Sequence, residues 1–91
     1  MMIDMQEQKV KQDDLIKIGG NIRCIRQKQG VGQTELVRML DLMNISITRE
    51  TLVKIERGIQ HIQASQLKGI RDALQTTYDE LLYANNGDVN G

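Results

Sequence analysis

At 91 residues the chain has room for one domain with one modest core, and none for a second lobe around a deep pocket. It has no Pro, Phe or Trp and only two Tyr, which disfavours a sheet and favours helices packed by Leu, Ile, Val and Met. The formal net charge is zero, but residues 1–14 are net −2, residues 15–60 net +4 and residues 61–91 net −2, so positive charge gathers in the middle.

The longest apolar run falls far short of the ~18 residues that a membrane span needs. The opening stretch MMIDMQEQKVKQDD is polar and acidic and has no signal-like apolar segment. The single cysteine, Cys24, excludes an intramolecular disulfide and a Cys-rich zinc site. The expectation is a cytoplasmic protein without metal or cofactor.

The chain reads as a flexible arm over 1–14, or a loose extension of the first helix, then a helical domain over 15–83 and a disordered tail over 84–91. The first clear helix is predicted from Leu15 to Gln29, because Ile18, Ile22 and Ile25 recur at the spacing of one buried stripe. Gly30 suits a left-handed end. A second helix starts after Gly32, with Val31 and Leu36 placed as a hydrophobic staple. Leu36, Val37, Leu40 and Met43 form its apolar face, and Asn44 sits where the chain must leave it. Thr48 reads as the cap of a third helix, Arg49 to Arg57, with Leu52 and Ile55 inward and Gly58 after it. A fourth helix is predicted over Ser65 to Leu74, with Leu67, Ile70, Ala73 and Leu74 inward. The pattern Thr77-x-x-Glu80 is a capping box opening a fifth helix. The fold class is therefore all-α, a compact five-helix bundle.

Three stretches carry the functional signal: I18-G19-G20-N21-I22-R23-C24-I25-R26, G30-V31-G32-Q33-T34-E35-L36 and I47-T48-R49-E50-T51-L52-V53-K54-I55-E56-R57-G58. In this order they resemble the Cro and phage-repressor type of helix-turn-helix domain, the XRE family, over about residues 18–82. The resemblance implies a lambda-repressor-like fold and double-stranded DNA as the partner. It places the third helix in the major groove, where each base pair offers a distinct donor and acceptor pattern. Thr48, Arg49, Glu50 and Lys54 become the base-contacting positions, and Gln33 and Arg57 phosphate contacts. Arg26 and Glu56 become an ion pair inside the domain. One third helix reads only a few base pairs, so a homodimer is implied. Leu81, Leu82 and Tyr83, or the N-terminal arm, are the expected dimer surface.

The chain departs from the family in three places. Gly32 stands where Ser or Thr is usual. Gly69 and Arg71 stand where small or apolar residues are commoner. The stretch between the second and third helices is longer than in the shortest members, Leu42 to Ile47 hold the surplus, and the second helix is expected to gain a turn.

Plainer readings compete. Arg49, Glu50 and Lys54 are also what a solvated helix face looks like. Arg26 is a DNA contact if it is not paired. Cys24 reads as a helix residue without chemistry, His61 as an exposed loop residue, and Met39 and Met43 as core filler. With one His, one Cys and two Ser there is no spacing that couples a nucleophile to a base, so no enzyme is expected. The alternative function is an antitoxin or protein-interaction module with a small protein partner.

Overall fold

The computed structural model describes residues 12–83. They form five helices: α1 (Gln12–Lys28), α2 (Gln33–Asp41), α3 (Arg49–Glu56), α4 (Ala64–Leu74) and α5 (Tyr78–Leu82). Among the described residues there is no strand, and no helix is long and apolar enough to cross a membrane. The fold is all-α. The expected tail over 84–91, and the expected arm as far as residue 11, lie outside the described residues. Residues 12–14 of that arm are helical, so α1 begins before Leu15. Asp13 and Asp14 occupy its first turn, where the positive end of the helix dipole favours carboxylates.

α1 is the spine. It packs against α3, α5 and α4, while α2 packs against α3 and α4. The core between them is Ile22, Leu36, Leu40, Leu52, Ile55, Ile70, Leu74 and Leu81, all fully buried. Each such side chain is worth about 2 kcal/mol relative to exposure. The stripe read from Ile18, Ile22 and Ile25 faces this core, with Ile18 only partly buried.

Two glycines set how closely the spine is packed. A Cβ on Gly19 would collide with the backbone carbonyl oxygen of Ile55, so α1 and α3 meet backbone to backbone there. Gly58 has φ +76°, and a Cβ on it would lie 2.6 Å from Ile16 Cα, so both its conformation and its neighbour exclude a side chain.

Four helices end in the same way. After α1 the Val31 amide donates to the Arg26 carbonyl, after α2 Ile45 to Leu40, after α3 Ile59 to Lys54, and after α4 Thr76 to Arg71. The residue before each of these amides, Gly30, Asn44, Gly58 or Gln75, has positive φ. This six-to-one closure satisfies carbonyls that the helix leaves orphaned.

Three local expectations are corrected. α2 is shorter than its apolar period suggests: it stops at Asp41, and residues 42–48 form a turn and an irregular connection. Met43 is therefore not on the helix face but 38% exposed beyond it, and Leu42 is 80% exposed. The reason is the left-handed Asn44, which turns the chain so that Ile45 and Ile47 pack inward instead. Only half of the Thr77–Glu80 box forms. The Thr77 hydroxyl accepts the Glu80 amide at 3.1 Å, but the Glu80 carboxylate accepts the Thr76 hydroxyl. A carboxylate oxygen takes either donor, and the side chain one residue earlier supplies one. At α4 the Gln63 amide donates to Gln66 Oε1 at 2.9 Å, so that helix starts at Ala64 rather than Ser65.

Candidate functional site

Thr48 fixes where α3 begins. Its Oγ1 accepts the Thr51 amide at 3.0 Å and donates to the Thr51 hydroxyl at 3.0 Å. Leu52, Ile55 and Glu56 then turn inward. Helical spacing places Arg49, Val53 and Arg57 along one outward ridge and Glu50 and Lys54 along the next. Arg49, Glu50, Lys54 and Arg57 are exposed, and Val53 is half-buried. Together with Ile59 these residues line a shallow concavity along α3. Three cations and one carboxylate give this face an excess of positive charge.

Beside it runs a groove between α1, the start of α2 and α3. Arg23, Gln27, Gln33, Val53 and Arg57 line it, with Arg26 and Glu56 behind them. Arg26 and Glu56 form a two-pronged pair: Nε donates to Oε2 at 2.7 Å and Nη2 to Oε1 at 2.9 Å. Nη1 donates to the Val31 carbonyl at 2.9 Å, which ties the α1–α2 connection to the same guanidinium. The pair is buried, so Arg26 faces inward and does not belong to the outer surface. Its partner is neutralised, so among the described residues Arg23 and Arg57 are the groove charges without an ion-pair partner.

Gln33 has a second role. Its Nε2 donates to Glu56 Oε1 at 3.0 Å. A carboxylate oxygen only accepts, so the amide nitrogen must face it. One amide hydrogen remains for an outside acceptor. Gly32 offers no side chain to cap α2, so the first amides of that helix have no side-chain acceptor.

Sequence reasoning had not placed Arg23 and Gln27 at the site. They lie one turn apart on α1, away from the Ile22 and Ile25 stripe, and that spacing was the available signal. Asn21 was also missed: it is buried and donates to the Leu81 carbonyl at 2.9 Å, fastening α5 to α1. Gln29 Nε2 likewise donates to the Leu74 carbonyl at 2.7 Å, at the end of α4.

The expected dimer surface on α5 is reduced. Leu81 is fully buried, which leaves the half-buried Leu82 and Tyr83, itself 66% exposed. Cys24 is half-buried and His61 exposed. Among the described residues no group of three or more His, Cys, Asp or Glu could hold a metal ion. Compared with family models, with curated proteins and with solved structures, the chain returns no match.

Proposed function

We propose that this protein is a sequence-specific double-stranded DNA-binding protein of the Cro and phage-repressor type, a transcriptional regulator acting as a repressor. α3 lies in the major groove. The observation that carries this reading is the outward face of α3, where Arg49, Glu50, Lys54 and Arg57 are exposed on one side while Leu52 and Ile55 anchor the other. A helix presented in this way matches the width of the major groove.

Arg49 makes a two-pronged contact with guanine, and Lys54 and Glu50 add a donor and an acceptor. The Thr48 hydroxyl is taken up by the cap, so Thr48 contributes its methyl group and the position of the helix start. Gln33, through its spare amide hydrogen, and Arg57 contact phosphates, and Arg23 joins them across the groove. These contacts hold orientation and carry no sequence information directly. Useful specificity requires a homodimer on two half-sites.

A role in binding a small protein partner is the second reading. Leu42 and Met43 supply the exposed apolar patch that favours it, and copurification of a partner tests it.

The experiment for the first reading is selection of bound duplexes from a random library. A two-fold symmetric consensus is expected. Arg49→Ala should then lose ~1–3 kcal/mol of discrimination at one position per half-site. Gln33→Ala should weaken binding to all duplexes about equally. A library that yields no enriched sequence overturns the reading.

A further inference from the structure

Val53 is out of place on the face where it sits. Its neighbours along and beside its ridge are Arg49, Glu50, Lys54 and Arg57, all charged and exposed. Val53 is apolar and half-buried, yet it is not among the partly buried side chains that pack against the core. It lines both the concavity along α3 and the groove between α3 and α1. An apolar side chain left partly open to solvent, between two arginines one turn away on either side, gains by meeting an apolar group from outside.

We propose that Val53 reads the C5 methyl group of a pyrimidine, which makes it a specificity-determining residue. The inference rests on the reading of α3 as the helix in the major groove. There, the C5 methyl is the apolar feature of a base-pair edge, and thymine displays it. 5-Methylcytosine carries the same group at the same carbon, so the shared chemistry is a 5-methylpyrimidine. Val53 suits this role by shape. Its branched side chain is short and stiff, so it reaches a base edge only where the helix axis runs nearest, while the longer arginines at Arg49 and Arg57 reach past it to either side. Water leaves both methyl surfaces when they meet, and that selects against a pyrimidine without the group.

The test uses the duplex selected from the random library. Each thymine is replaced singly by uracil, which removes the methyl and leaves the hydrogen-bonding edge intact. Each cytosine is replaced singly by 5-methylcytosine. The wild-type protein should show one position per half-site where the methyl improves affinity about four-fold, the value expected for burying one such group. The pair that shows it, thymine over uracil or 5-methylcytosine over cytosine, identifies the source. In Val53→Ala that preference should vanish while the other positions keep theirs, and thermal melting should match the wild type. If Val53→Ala keeps the methyl preference, or the wild type shows none, the inference falls and groove binding by α3 stands. If no duplex is bound, both fall together.

Discussion

Among the described residues are two arginine–carboxylate pairs of similar length and very different standing. Arg26 and Glu56 lie thirty positions apart in sequence and join α1 to α3, with side chains 8% and 2% exposed. Arg71 and Asp72 are neighbours on α4, with side chains 31% and 38% exposed. In the first pair two guanidinium nitrogens meet two carboxylate oxygens, and Val31 and Gln33 complete the hydrogen bonding. In the second both nitrogens share one oxygen, and the guanidinium also lies 4.6 Å from the centre of the Tyr78 ring. Distance therefore does not rank them. What ranks them is what each pair joins and how much water is left to take its place.

The largest effect should come from breaking the buried pair. Glu56→Ala leaves a buried guanidinium without its carboxylate and Gln33 without its acceptor. A loss of about 3 kcal/mol is expected in chemical denaturation. A loss under about half a kcal/mol would put this pair on the same footing as a surface one. Replacing both members, Arg26→Met with Glu56→Leu, should recover most of that loss, because no charge is then stranded.

The same seam can be pried open without touching a charge. Gly19→Ala should cost about 2 kcal/mol, since the new methyl meets the Ile55 carbonyl and the backbones must part. Gly20, next to it, has nothing within 4 Å of its Cβ position. Gly20→Ala should instead gain up to about 1 kcal/mol of helix propensity. Equal effects at the two glycines would mean that α1 and α3 are not in backbone contact.

Thr48 is an exposed residue that should matter all the same. Thr48→Ala removes the acceptor for the Thr51 amide, and a loss of about 1 kcal/mol is expected in thermal or chemical unfolding. An unchanged stability would place the start of α3 elsewhere.

The smallest effect belongs to the exposed pair. Asp72→Asn should leave the unfolding midpoint at neutral pH unchanged within error. The hydrogen bond from Arg71 holds the Asp72 carboxyl below the usual carboxylate range against the opposing effect of burial, and Lys68 adds to it. A lowered value in the folded state means that the pair's small contribution is complete above the ordinary aspartate range. It fades as pH falls through the lowered value. Carboxyl titration by NMR should find Asp72 below about 3.9, and a value at or above that would remove the pair as an influence on the charge.

Much of the frame was legible in the sequence because its signals are local. Ile22 and Ile25 mark a stripe, Gly30, Gly58 and Asn44 mark left-handed ends, and Thr48 and Thr77 mark caps. The missing pieces depend on residues far away in the chain. Gln75 carries no left-handed signal, and it takes that conformation between a buried Leu74 and the capped start of α5. Asn21 reads as a polar break beside a stripe until Leu81 supplies its acceptor. The length of α2 was misread because Met43 continues the apolar period of Leu36 and Leu40, and periodicity alone does not say where a helix stops. Of the candidate site, the α3 residues were readable from motif order, whereas Arg23 and Gln27 belong to it only because α1 lies against α3.

The burial of Arg26 and Glu56 has a consequence at the bench. Added ions shorten the reach of exposed charges to about 3 Å at molar strength but penetrate little to a pair shut away from solvent. The seam that presents α3 should therefore keep its geometry from dilute to concentrated buffer. If the chain binds DNA as proposed, a fall in affinity over that range would then count the counterions displaced from phosphates, and not a loosening of the protein.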